Sequence, residues 1–229
     1  MKPKILVLLP IWGRMNITEL CLSNIKKLQK DYIIDVLCVV SEQWAKLMAF
    51  KYGFSYVEVS NDDLGHKMNV GVERALKMDF DYLMNLGSDD IITKELLDEY
   101  KEQMDNNSPM FGITKVCFFD SKTKELKEVD YGHLIGAGRM IRKDIIEKLA
   151  VTNDKVTMYD KGLKNGLDNN SRKRFMSVAM RELSLNGNMI IDIKSDENIW
   201  KFSDLKGETK ELNYIKNIDD EILTQMIEL

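Results

Sequence analysis

The chain has little of what marks several common function classes. Three cysteines, three prolines and two histidines are spread over 229 residues. Cys21, Cys38 and Cys117 are odd in number and dispersed, which speaks against a disulfide framework or a cysteine metal site and reads as core thiols in a reducing compartment. No apolar run reaches membrane-spanning length. The Lys2 and Lys4 charges before Ile5-Leu6-Val7-Leu8-Leu9 imitate a secretory leader, but Pro10 breaks the run and no small-residue cleavage site follows. A first buried strand of a cytoplasmic enzyme is the better reading. The net charge is only −4, so no global attraction to nucleic acid or anionic membrane is expected. There is no internal repeat, low-complexity tract or Pro/Gly-rich linker, and residues 1–229 read as one domain.

What is present is ordinary globular material, 44% hydrophobic and 31% charged, arranged with a clear rhythm in its first half. Strands are predicted at Lys4–Leu9, Ile33–Val40, Ser55–Val59 and Asp81–Leu86. Helices are predicted between them at Ile17–Lys30, entered at Asn16 with Glu19 as a capping box, at Gln43–Tyr52 and at Gly65–Met78. Strands apolar throughout, alternating with helices, imply an α/β fold with a mainly parallel central sheet flanked by helices on both faces. Ligands in such folds sit beyond the carboxyl ends of the strands. Those ends carry Pro10-Ile11-Trp12-Gly13-Arg14, Ser41-Glu42, Asn61-Asp62-Asp63 and Gly87-Ser88-Asp89-Asp90.

The second half is less regular. Pro109–Phe119 and Leu126–Tyr131 read as strands around a polar turn at 120–124, and His133–Ile141 as a strand bearing Gly136-Ala137-Gly138. A helix at Lys143–Leu149, a long loop or lid over 152–170, a helix from Ser171 to about Leu185, a strand at Met189–Ile193 and a weak helix near Asp219–Ile227 complete the expectation.

The segment Phe80-Asp-Tyr-Leu-Met-Asn-Leu-Gly-Ser-Asp-Asp-Ile-Ile92 is the most informative. An apolar strand ends in adjacent carboxylates, Asp89 and Asp90, and the chemistry this suggests is a hard divalent cation carrying a phosphate. Gly-Ser-Asp-Asp is equally good turn chemistry, with Thr93 placed to cap a helix over 94–106.

With Leu9-Pro10-Ile11-Trp12-Gly13-Arg14 before the Cys21-Leu22-Ser23 helix, Gly65-His66-Lys67-Met68-Asn69-Val70-Gly71 opening another, and Leu86-Gly87-Ser88-Asp89-Asp90-Ile91 ending a strand, the chain resembles nucleotide-sugar-dependent glycosyltransferases of the GT-A (Rossmann-like) fold. The resemblance is to the inverting family of bacterial polysaccharide-type enzymes and covers roughly residues 4–185. It implies a nucleotide-sugar-binding half (1–106), an acceptor half (107–195) and a C-terminal tail (196–229). It also implies a nucleoside diphosphate sugar donor, UDP-linked by analogy, with Mn2+ or Mg2+ held by Asp89 and Asp90 and offsetting the leaving-group charge. The family's first motif aspartate is Gly87 here.

By the same resemblance Pro10, Trp12 and Arg14 contact base, ribose and phosphate. Ser41 and Glu42 stand where a uracil-binding aspartate is usual, Lys67 meets base or diphosphate, and Ser88, Asp89 and Arg139 complete the donor site. Asp168, ahead of a helix, is the candidate acceptor base, with Asp160 in reserve. For each residue a structural reading stands alongside: a core Trp, a solvated Arg, a first-turn Glu, a capping Asp, and glycines that allow a bulge around Arg139. His66 and His133 read more simply as surface histidines.

The acceptor is hydroxyl-bearing, with glycan, lipid-linked sugar and hydroxymethylated phage DNA all open; Arg172-Lys173-Arg174 suggests an anionic one. Two rivals remain. A sugar-phosphate nucleotidyltransferase should carry a Gly-rich loop after the first strand, which 10–14 is not. A non-catalytic nucleotide-sugar-binding protein would fit the glycine at position 87.

Overall fold

The structure is a computed structural model and describes residues 2–163, 166–198 and 201–229. The first half follows the apolar rhythm: β1 (Ile5–Ile11), α1 (Met15–Leu28), β2 (Ile34–Val40), α2 (Gln43–Tyr52), β3 (Ser55–Glu58), α3 (Leu64–Leu76), β4 (Tyr82–Asn85), β5 (Asp90–Ile92) and α4 (Lys94–Asp105). The second comprises β6 (Met110–Ile113), β7 (Lys115–Asp120), β8 (Leu126–Asp130), β9 (Met140–Arg142), α5 (Lys143–Ala150), β10 (Val151–Thr152), β11 (Lys155–Val156), α6 (Leu167–Arg174), β12 (Met180–Leu183), β13 (Ile190–Lys194), β14 (Glu208–Lys210) and α7 (Asp220–Glu228).

Seven strands form the main sheet in the order β12-β6-β9-β4-β1-β2-β3. All run parallel except β9, which lies antiparallel to both β4 and β6. The expected α/β fold with a mainly parallel sheet is thus what forms. β1 has apolar residues on both faces: Ile5, Val7, Leu9 and Ile11 pack with α1, α2 and α4, while Leu6 and Leu8 pack with α3 and α5. A strand buried on both sides has no polar alternation, which is why it reads as a continuous apolar run. Gly71 in α3 lets that helix lie close, since a Cβ there would fall 2.6 Å from Val39 Cγ2.

A second sheet, β14-β8-β7-β13-β5, branches from the end of β4. β13 is parallel to β7 and antiparallel to β5, with Asp192 directly opposite Asp90.

Several expected elements differ. The 109–119 strand is two strands, because the chain leaves the main sheet at Thr114 and joins the second. Of the 133–141 run only Met140 and Ile141 are strand, at the start of β9; the Gly136–Gly138 stretch folds as a loop, with Gly138 at φ +69°. The 171–185 helix is α6 followed by the exposed edge strand β12. The loop expected at 152–170 contains the β10–β11 ladder and the start of α6, and Lys164 and Asn165 lie outside the described residues. The Asn16 capping box does not form: α1 starts two residues earlier, with Arg14 at its N-cap in the left-handed region (φ 55°, ψ 50°). Thr93 does cap α4, accepting from the Leu96 amide at 3.2 Å. The three cysteines are free and buried.

Candidate nucleotide and cation site

A cleft of about 790 Å³ opens beyond the carboxyl ends of β1, β3 and β4. Its walls include Pro10, Trp12, Arg14, Lys67, Ser88 and Asp89 from the expected set, joined by Asn61, Asp62, Lys194, Glu197 and Asn198. Trp12 is half exposed at the rim, an uncovered aromatic face of the kind a nucleobase stacks on.

Lys67 is fully buried, its Nζ donating to Ile11 O at 2.7 Å and Asn61 Oδ1 at 3.0 Å. Burial pulls its pKa down to about 8, against the opposing pull of Glu42. Three expected donor residues sit elsewhere. Glu42 accepts from the Gly13 amide at 2.8 Å and so tethers the first loop, and Ser41 is absent from the cleft lining. Arg139 is completely buried beneath the Gly136 loop, donating to Ile135 O (2.9 Å), Asp168 O (3.2 Å) and Ser171 Oγ (2.9 Å). There it supports backbone and α6 and does not face the cleft.

Asp89, Asp90 and Asp192 form the centre. One oxygen from each lies within 4.8 Å of the others, and an all-carboxylate donor set suits Mg2+ or Mn2+. Asp90 is buried, and Oδ2 accepts from the Gly87 amide at 2.6 Å. Burial, then Asp192 and Asp89, push its carboxyl well above the usual range. Burial and Asp89 likewise raise Asp192, whose Oδ1 is buried without a partner among the described residues. Orphaned oxygen and crowded carboxylates are what a cation would relieve, so the residues fit one.

Two side chains meanwhile offset the charge. Arg14 ion-pairs with Asp89 and reaches Ser88 Oγ at 3.3 Å. Lys194, nearly buried, donates to Asp192 at 2.8 Å above the Phe118 ring; burial opposes its ammonium, but Asp192 and Asp89 hold its pKa above the ordinary value. Asp192 and Lys194 were not among the expected site residues. Their signal is a period-two placement of charge, Asp192 and Lys194 on either side of Ile193, in a strand otherwise apolar.

A second cavity of about 260 Å³ adjoins the first and shares Pro10, Leu64, Gly87 and Asp89 with it. Asp168, in the first turn of α6, lines it together with Asn85, Tyr159 and Asp192. Gly136 makes room for that carboxylate: a Cβ there would lie 1.7 Å from Asp168 Oδ1. Asp160 is engaged instead by Arg174 (2.9 Å) and Asn170 (2.6 Å). His66 is exposed in the first turn of α3, and His133 lines a separate groove that Asp168 also borders.

No family model and no curated protein matches the sequence. Solved structures do. The bifunctional IspDF from Campylobacter jejuni aligns at 10% identity and TM-score 0.49 over 81% of this chain, which spans about half (51%) of that one. A cytidylyltransferase from Leptospira borgpetersenii serovar Hardjo-bovis aligns at 15% identity and TM-score 0.47, covering 88% of this chain and 80% of its own. Glucosyl-3-phosphoglycerate synthase from Mycobacterium tuberculosis, in complex with Mn2+ and uridine-diphosphate-glucose, aligns at 15% and 0.45 over 80% and 70%. Likeness at this level concerns chain path and does not select a reaction. No helix among the described residues is long and apolar enough to cross a membrane.

Proposed function

We propose that the protein is a cation-assisted transferase that binds a nucleotide in the larger cleft and delivers part of it to a hydroxyl-bearing acceptor in the smaller cavity. The observation carrying this is the shared wall: Asp89 borders both spaces, with Asp90 and Asp192 beside it in the smaller one. A divalent cation bound there supplies charge that offsets a departing phosphate. Trp12 stacks on the base, Arg14 holds phosphate oxygens, and the buried Lys67 ammonium adds positive charge beneath them. Asp168 takes the acceptor proton. Its position beside three further carboxylates disfavours an anionic nucleophile and suits a neutral hydroxyl.

Two bonds can be the one broken. Nucleotidyl transfer, with pyrophosphate leaving a nucleoside triphosphate, is the reading supported by the name of the similar cytidylyltransferase. Glycosyl transfer from a nucleoside diphosphate sugar is the reading supported by this chain's own first loop, which is not glycine-rich.

Incubation with nucleoside triphosphates plus hydroxyl-bearing sugars, and separately with nucleotide sugars plus the same sugars as acceptors, followed by 31P NMR, distinguishes them. Pyrophosphate release establishes nucleotidyl transfer; nucleoside diphosphate release establishes glycosyl transfer. Absence of nucleotide binding by calorimetry, with and without Mn2+, would sink the proposal.

A further inference from the structure

The turn after β1 presents three groups suited to anions, and carboxylates of the protein itself occupy all three. The Gly13 amide donates to Glu42 Oε2 at 2.8 Å, the Arg14 amide to Glu197 Oε2 at 3.0 Å, and the Arg14 guanidinium to Asp89. α1 begins at the next residue with no acidic side chain in its first turn and no side-chain cap, so its positive end adds to the attraction. Asp89 is doubly engaged, since Asn198 Nδ2 also donates to it at 2.8 Å. Asn85 is a separate sign of a ligand in the adjoining cavity: it is 7% exposed and lines that cavity, yet its Oδ1 has no partner among the described residues.

Resting on the nucleotide reading above, we propose that Arg14 is a latch shared by phosphate and cation. A nucleotide phosphate displaces Glu197 from the Arg14 amide and draws the guanidinium off Asp89. The released carboxylate then completes a cation site with Asp90 and Asp192. Without phosphate, a cation must share Asp89 with the Arg14 guanidinium, which holds Oδ2. The two ligands therefore assist each other through Arg14, beyond any direct contact between them, and the linkage is reciprocal.

Mn2+ binding without nucleotide, read from the electron paramagnetic resonance of the free ion, tests this. Arg14→Gln is expected to bind Mn2+ at least about fivefold more tightly than the wild type, a typical size for coupling between sites. Lys67→Met removes a cation from the same cleft without freeing Asp89, and is expected to change Mn2+ affinity by less than about twofold. In metal-free buffer, Glu197→Ala, which leaves the Arg14 amide without its side-chain acceptor, is expected to bind pyrophosphate about fivefold more tightly. This arm decides the case if Arg14→Gln fails to fold. Equal Mn2+ affinity in wild type and Arg14→Gln, or an equal gain in Lys67→Met, overturns the latch and leaves the nucleotide reading standing wherever nucleotide still binds. A wild-type protein that binds no nucleotide overturns both.

Discussion

The two halves of the molecule meet at the same carboxylates but build their contributions differently. In residues 1–106 each contribution to the cleft follows a parallel strand, so the sheet edge itself gathers Arg14, Lys67 and Asp89. In residues 107–198 the contributions come from inside a strand (Asp192, Lys194) and from a helix start seated against a glycine (Asp168 on Gly136). The first half is regular scaffold with a functional rim. In the second, scaffold and site are the same residues, so substitutions there should disturb fold and function together.

The largest test pairs the two halves at the cation. Asp89→Asn and Asp192→Asn are each expected to lower kcat/KM about 10²–10³-fold, the scale for removing one group that stabilises transition-state charge. Steady-state kinetics with Mn2+ titration measures both. Full activity in either variant would remove that half from the centre. Next, Asp168→Asn is expected to lower kcat about 10²-fold, as for loss of a general base, with nucleotide affinity by calorimetry unchanged. A weakened nucleotide affinity would move Asp168 to the donor side.

Gly136→Ala sharpens the contrast, because the added methyl overlaps the Asp168 carboxylate. Denaturant unfolding should show a cost of about 1–3 kcal/mol, accompanied by reduced turnover. An unaltered midpoint would mean that the 132–139 loop yields freely.

The smallest expected effect is a pH dependence in the first half. Lys67 titrates at about 8, so its ammonium is charged below that pH and neutral above it. Nucleotide affinity should fall as pH rises through about 8, and in Lys67→Met it should be flat across that range. Its stability effect has the opposite sense. Between about 8 and the ordinary 10.5 the unfolded chain holds a proton that the folded chain lacks, so stability rises with pH over that window relative to the variant.

These differences also explain how much the sequence reveals. β1, β2 and α2 are readable because burial on both sheet faces, or a clear helical period, dominates their composition. Gln43–Tyr52 emerges with the same ends as expected. The crossing at Thr114 is hidden because both strands beside it are apolar, and periodicity does not report which sheet a strand joins. β12 is hidden because Met180-Arg-Glu-Leu183 is an exposed edge whose pairing with β6 is made by backbone. Arg14 at the α1 N-cap is hidden because its left-handed backbone is set by long-range partners, Asp89 and Glu197, and not by the local sequence. At the site, the aspartate pair 89–90 was visible as an anomaly. Its third member, Asp192, shows in the sequence only as a charge in an apolar strand, and its place opposite Asp90 follows from the β5–β13 ladder.

That ladder also orders events in time. Asp90 and Asp192 stand opposite each other although about a hundred residues separate them along the chain, and contacts of such span are slow to close. A chain emerging from synthesis has Arg14, Lys67 and Asp89 long before it has Asp192. The acidic centre is therefore assembled late, when β13 docks between β5 and β7, and a partly made chain carries the rim of the cleft without its third carboxylate.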